Sequence, residues 1–257
     1  MTGTVLRIIC LVAALFYYAA FATTYLDKKH NRISLILWCI GIALNGAIVV
    51  NNWIVNGYMP FVSMYQVLTF LGVTFALVYV YIRYMHEGAF MKRYFMVSQG
   101  VIMTGVFFMA QASEWTFPPA LQSVYFIPHV FSYMISYCLV AVAAILTVIS
   151  FFVKKEALTL YKKGAYNLVL TGFPFMVLGM FLGSLWANAC WGEYWQWDNK
   201  EVWSLVTVLM LCIYLHFRRQ EKLKKYAPVF VLLAFVCEII TLFFVGMFGG
   251  GSVHAYS

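Results

Sequence analysis

From His129 to Val153 the chain reads HVFSYMISYCLVAVAAILTVISFFV, twenty-five residues without one Asp, Glu, Lys or Arg, and it then turns at once into Lys154-Lys155. About 20 apolar residues suffice to cross the ~30 Å hydrocarbon layer of a bilayer. Lipid offers no partner to an exposed peptide group, so a run of this kind reads as a transmembrane helix. Seven more stretches have the same character, at about 5–25, 33–53, 63–83, 94–112, 166–187, 201–217 and 227–248. They are continuous rather than alternating, which excludes a membrane β-barrel. Composition agrees: 64% of the 257 residues are hydrophobic and 10% are charged, whereas a soluble domain carries roughly a quarter of its residues as charge. A soluble enzyme, a disordered chain and a nucleic-acid module are set aside. The expectation is an all-α integral membrane protein with about eight transmembrane helices.

The charges supply the orientation. Lys28, Lys29 and Arg32 lie between spans 1 and 2, and Arg83, Lys92 and Arg93 between spans 3 and 4. Lys154, Lys155, Lys162 and Lys163 lie between spans 5 and 6, and Arg218, Arg219, Lys222, Lys224 and Lys225 between spans 7 and 8. Those four connections hold 3 + 3 + 4 + 5 = 15 of the 17 basic residues. The positive-inside rule places them in the cytoplasm, which puts both termini on the outer (periplasmic or lumenal) side. The net charge of +8 is then a consequence of topology and asks for no nucleic acid. The small-residue stretch Tyr18-Ala-Ala-Phe-Ala22 imitates a signal-peptide cleavage site, but the basic cluster follows the first apolar run instead of preceding it, the reverse of a signal peptide. The six cysteines include no CxxC pair, so the chain is neither a dithiol oxidoreductase nor a c-type cytochrome.

The candidate chemistry lies on the outer side. Five of the eight tryptophans fall within Trp186-Ala-Asn-Ala-Cys-Trp191-Gly-Glu-Tyr194-Trp195-Gln-Trp197-Asp198-Asn-Lys-Glu201-Val-Trp203. Two readings stand. The cluster is an interfacial aromatic belt, or a flat platform with N–H donors at its edges that suits a large planar ligand. Of the five histidines, His30 and His86 belong to the basic connections, while His129, after Pro128, and His254, after Gly249-Gly250-Gly251, flank the Trp-rich segment on one membrane face. A pair of imidazoles beside an aromatic platform fits the axial ligation of a haem iron, and the glycines let the tail approach a ligand closely. His216 sits roughly 22 Å along span 7. It is open between a functional intramembrane group and a snorkelling residue beside Arg218 and Arg219. Glu238, near the middle of span 8, must face protein rather than lipid. Asp198 can bond an imidazole or indole, or cap span 7.

Trp191-Gly192-Glu193-Tyr194-Trp195-Gln196-Trp197-Asp198 resembles the WGxYWxWD core of the WWD domain, the mark of haem-handling proteins of cytochrome c maturation. Lys200-Glu201-Val202-Trp203-Ser204 with Ile213-Tyr214-Leu215-His216, Pro119 to Gln122-Ser123, Gly251 to His254 and Tyr256, and Pro60 with Met64-Tyr65 are similar to its CcsA (ResC) branch. The likeness covers about 58–257, leaving 1–57 as a pair of N-terminal helices before a cytochrome c assembly (WWD) domain. Asn199 replaces the usual proline, Gln66 the usual glutamate, and Ser252-Val253 the usual Gly-Leu.

This resemblance implies the haem-handling subunit of a System II cytochrome c synthase, in a bacterial cytoplasmic membrane or a thylakoid. His129 and His254 match the outward-facing haem ligands and His216 the intramembrane one. Trp191, Gly192, Tyr194, Trp195, Trp197 and Asp198 match the haem-contacting segment. Haem b is the bound substrate, and the CxxCH segment of apocytochrome c is the second one. The resemblance also implies a separate CcsB (ResB) partner, without which the chain does not complete the reaction. No catalytic residue is assigned. The competing readings are a CcmC-like haem-delivery protein without ligation activity, and a haem-free transporter or scaffold.

Overall fold

The structure, a computed structural model, describes residues 3–26, 31–85, 88–109 and 117–244. His254, expected as the second outer ligand, lies outside these residues, as do His30, His86 and Trp115. Among the described residues all regular structure is helical. Eight α-helices follow the eight apolar runs: α1 Gly3–Thr23, α2 Asn31–Asn56, α3 Met64–Met85, α4 Lys92–Phe108, α5 Phe126–Ser150, α6 Lys155–Trp191, α7 Asn199–Arg219 and α8 Ala227–Ile239. A turn of π-helix, Ile240–Phe244, continues α8. Six of them, α1, α2, α3, α5, α6 and α7, are long and apolar enough to cross a membrane. The 17-residue α4 and the 13-residue α8 are shorter.

The largest departure from the hydropathy pattern is α6. Its apolar run begins near 166, but the helix begins at Lys155 and continues for 37 residues to Trp191. The added turns hold four basic or acidic side chains, Lys155, Glu156, Lys162 and Lys163, that hydropathy reads as a connection. They form helix because Leu158, Tyr161 and Ala165 extend the same stripe as Leu168, Gly172, Met176 and Gly179, at the three- and four-residue spacing of one helix face. At the other end the helix runs four residues past the apolar run to Trp191, which shortens the α6–α7 connection to 192–198.

The chain divides into two compact units, Met1–Leu121 and Gln122–Ser257. In the first, α1 packs on α2 and α4, and α3 on α2 and α4. Its interior carries a polar relay: the Trp38 indole donates to Gln99 Oε1 at 2.6 Å, and Gln99 Nε2 donates to the Gly72 carbonyl at 2.7 Å. In membrane-type interiors such bonds hold helices together because a polar group there has few alternative partners. The first unit also locates Gln66. It is fully buried, and its Oε1 accepts from the Val62 amide at 2.9 Å and the Ser63 amide at 3.4 Å, while the Gln66 amide donates to Ser63 Oγ at 3.3 Å. Ser63 and Gln66 thus form the S-x-x-Q capping box that starts α3.

In the second unit α5 packs along α6 and against α8, and α7 lies on α6 and α8. Glycines set the α5–α6 approach. A Cβ at Gly172 would lie 3.1 Å from Leu139 Cβ, and one at Gly179 would lie 3.1 Å from the Tyr133 ring. Small residues on one stripe let helix backbones come close, and here they fix an antiparallel register that reaches the start of α5.

Candidate functional site

That register ends on His129. Pro128 is tolerated in the first turn of α5 because the peptide N–H it lacks has no helical partner there. His129 follows it, half-buried, with Nδ1 2.8 Å from the carbonyl oxygen of Gly179 on α6. A carbonyl only accepts, so Nδ1 carries a hydrogen, and in the neutral ring the lone pair is on Nε2. This is the tautomer an Nε2 metal ligand needs, and a fixed bond on the opposite nitrogen is the usual way a ligand imidazole is oriented. The approach requires a notch. A Cβ on Gly183 would fall 2.6 Å from His129 Cε1 and 2.7 Å from Nδ1, which is sterically excluded without moving the ring.

Aromatic side chains surround this imidazole. Tyr133, one turn along α5, meets it edge-to-face with centroids 4.9 Å apart. Trp186 of α6 lies at 5.6 Å with planes 33° apart. Trp186 also contacts Phe126 at 5.2 Å and Trp191 at 5.1 Å. His129, Trp186 and Trp191 are therefore one continuous cluster, with Trp186 buried and Trp191 half-buried. Trp195 and Trp197 form an edge-to-face pair of their own at 5.8 Å. The Trp195 indole N–H is buried without a hydrogen-bond partner, and Tyr194 and Trp197 are 58% and 70% exposed. An exposed aromatic surface beside an unused indole donor can receive a flat ligand with polar edges.

The connection that carries these rings is tightly made. Gly192 closes α6 in the left-handed conformation, φ 78°, its amide donating to the Asn188 carbonyl at 2.9 Å, the helix-ending geometry for which glycine is preferred. Trp197 also has positive φ, 59°, which a bulky residue adopts only under external restraint. The restraint follows at once. Asp198 Oδ1 accepts from the Glu201 amide at 2.8 Å, and Glu201 Oε2 accepts from the amides of Gln196 at 2.8 Å and Asp198 at 3.2 Å. This is a capping box, so the Asp198 carboxylate caps α7, one of the roles its sequence position allows.

His216 lies far from this cluster. Seventeen residues separate it from Asn199, about 25 Å along α7. Its Nδ1 is 2.8 Å from the carbonyl of Cys212 one turn back, and its ring is exposed. It has the same tautomer as His129, set by its own helix. Glu238 is 3% exposed on α8, its Oε1 without a hydrogen bond, near Cys138 of α5. It faces the interior of its unit. Among the described residues no three His, Cys, Asp or Glu side chains converge as a protein-built metal cage.

The motif reading missed Trp186, Gly179 and Gly183 as parts of the site. Their spacing, i, i+4 and i+7, puts them on one helix face, but this signal becomes readable only once residues 179–191 are known to be helical.

Fold and site thus define a polytopic helical protein of the membrane type that presents an oriented imidazole within a tryptophan cluster. Residues 61–252, about three quarters of the chain, match the family described as Cytochrome C assembly protein. The chain belongs to that family. Its relatives include the cytochrome c biogenesis protein CcsA of Oenothera glazioviana, 26% identical over 261 residues that span 81% of each chain. The CcsA of Solanum bulbocastanum is 25% identical over 275 residues, covering 90% of this chain and 85% of that one. The resemblance to CcsA is borne out. Among solved structures, the cytochrome c heme lyase CcmF superposes with a TM-score of 0.72 at 17% identity, over 95% of this chain and 47% of CcmF. That likeness establishes a shared fold, and this chain spans about half of the lyase's length.

Proposed function

We propose that this protein is the haem-handling subunit of a System II cytochrome c synthase, holding haem b and presenting it at the outer membrane face to the CxxCH segment of apocytochrome c. One observation carries the reading. Within a cytochrome c assembly chain, the His129 ring is held by its Nδ1–Gly179 bond inside an aromatic nest, an orientation that suits an Nε2 ligand.

In this reading haem is the substrate, with His129 and His254 as its axial ligands. Trp191, Trp195, Trp197 and Tyr194 hold the macrocycle, Gly192 and Asp198 shape the segment that carries them, and two imidazoles limit access of oxygen to the metal. Each cysteine thiol adds across one vinyl group: the sulfur bonds to one carbon, its hydrogen passes to the other, and no oxidant is needed. The chain contributes orientation and surroundings, while the macrocycle brings the reactivity. His216 belongs to a loading site completed by a CcsB-type partner, because its imidazole faces outward from this chain. The proposed topology has eight spans, basic connections in the cytoplasm and both termini outside, in a bacterial cytoplasmic membrane or a thylakoid.

The test is the absorption spectrum and maturation activity of the chain co-expressed with its partner and a CxxCH reporter, as the wild type and as His129→Gly. Loss of the haem signal and of reporter maturation, both restored by added imidazole, is expected. Unchanged haem and maturation in the variant would defeat the ligand assignment. A periplasm-active reporter fused after Ser257 is expected to be active and a cytoplasm-active one silent, and the reverse would defeat the topology.

A further inference from the structure

A second candidate binding place lies at the basic end of the second unit, where nothing in the haem reading assigns a role. A recess opens between the ends of α5, α6, α7 and α8. Its volume is about 20 Å³, room for one or two oxygen-sized groups at most. Its buried floor holds Thr147, Ser150 and Tyr214, and Lys162, Arg218 and Lys224 stand around it. No carboxylate lines it. The hydroxyls of Thr147 and Ser150 donate to the carbonyls of Ala143 and Thr147, both at 2.7 Å, so they make the floor polar and leave donation to the cations.

Arg218 is the decisive residue. Its guanidinium lies over the Tyr166 ring, 5.6 Å from the centroid, and Nη2 reaches the Lys162 carbonyl only at the 3.5 Å limit. Its Nε is buried and has no hydrogen-bond partner. A guanidinium has five N–H donors in a planar fork, which matches the oxygens of a phosphate or carboxylate. Glu221 pairs with Lys224, so Lys224 is already partly neutralised and Arg218, which also bonds the Tyr214 hydroxyl, is the main cation of the recess. The positive-inside rule explains why the connections are basic. It does not explain a guanidinium drawn into a recess with a donor left over.

The occupant is not the haem carried at His216. His216 and Arg218 are two residues apart, about 200° around the helix. His216 is exposed, whereas Arg218 turns toward Lys162 and Tyr166 of α6. We infer that this recess takes one phosphoryl oxygen of an anionic phospholipid onto Arg218, with the rest of the phosphodiester outside it beside Lys162 and Lys224 and the acyl chains lying along the apolar faces of the helices. Basic pockets between membrane helices recognise such headgroups in this way. The inference does not depend on the haem reading.

The experiment is lipid retention by the full chain, purified in detergent, challenged with phosphatidylglycerol or phosphatidylcholine and weighed by native mass spectrometry. The wild type is expected to retain phosphatidylglycerol several-fold over phosphatidylcholine. Arg218→Gln should bring that ratio close to one. Lys224→Gln, a change at an exposed position outside the core, should reduce it by less than Arg218→Gln does, because Lys224 is shared with Glu221. Lys222→Gln removes the same charge from the same connection but does not line the recess, and it should leave the ratio unchanged. If Lys222→Gln acts as strongly as Lys224→Gln, the attraction is diffuse and the site is refuted. Displacement of phosphatidylglycerol by millimolar inorganic phosphate would identify a soluble anion as the occupant and refute the lipid assignment.

Discussion

His129 and His216 are held by the same kind of bond in opposite surroundings. Each donates Nδ1–H to a backbone carbonyl at 2.8 Å. For His129 the carbonyl belongs to another helix, fifty residues away, and the ring is enclosed by Tyr133 and Trp186. For His216 the carbonyl is Cys212 on its own helix, and the ring is exposed. The first is a tertiary construction, built by α5 and α6 together. The second is a local one that any helix can make. The difference teaches that this chain organises one imidazole by itself and offers the other to something outside it.

The sharpest way to break this contrast is His129→Gly. Haem retained at the outer site is expected to fall by about 100-fold, at or beyond the upper end of the 10–100-fold seen when only an orienting partner of a ligand is lost. Titration of the purified protein with haem, with and without imidazole, measures it. Next in size is Gly183→Ala, which leaves every ligand in place and pushes a methyl group against the ring. Retention at the outer site should drop about 10-fold in the same titration, and any haem held through His216 should be unaffected. An unchanged affinity would mean that the notch does not set the ring's position.

Smaller effects test the supports. Asp198→Ala removes the carboxylate side of the α7 capping box and is expected to cost about 1 kcal/mol, read as a lower midpoint in denaturation of the detergent-solubilised chain. His216→Ala should change the stability of the chain alone by less than about 0.5 kcal/mol, as for exposed positions generally. In the presence of a partner, however, it should reduce haem loading and reporter maturation. If His216→Ala destabilises the isolated chain as much as His129→Gly does, the exposed ring is structural and the contrast collapses.

Much of this was legible in the residues. Eight apolar runs gave eight helices because continuous hydrophobicity leaves the backbone no other way to satisfy itself in lipid. The capping boxes at Ser63/Gln66 and Asp198/Glu201 are visible as S-x-x-Q and D-x-x-E spacings, and Gln66 keeps the acceptor role without a charge. His129 was singled out by its position. Its acceptor was not, because the Gly179 carbonyl reaches it only through the α5–α6 register, a property of two helices that neither sequence segment expresses alone. Trp186 falls inside the apolar run 166–187, and what that run does not express is that α6 continues to Trp191 and packs Trp186 against His129.

The length of α6 has a consequence for the setting of the whole molecule. Thirty-seven residues make a rod of about 55 Å at 1.5 Å per residue, against a hydrocarbon layer of about 30 Å. Even a tilt of about 40°, the steep end for membrane helices, leaves several turns that no lipid tail can cover. Membranes differ in thickness by about 5 Å from one compartment to another, roughly one helical turn. A protein whose helices match one bilayer is confined to it by mismatch. One with turns to spare meets a thicker membrane by submerging a little more of its rod. Its tryptophans at one end and its lysines at the other still stand among headgroups and water.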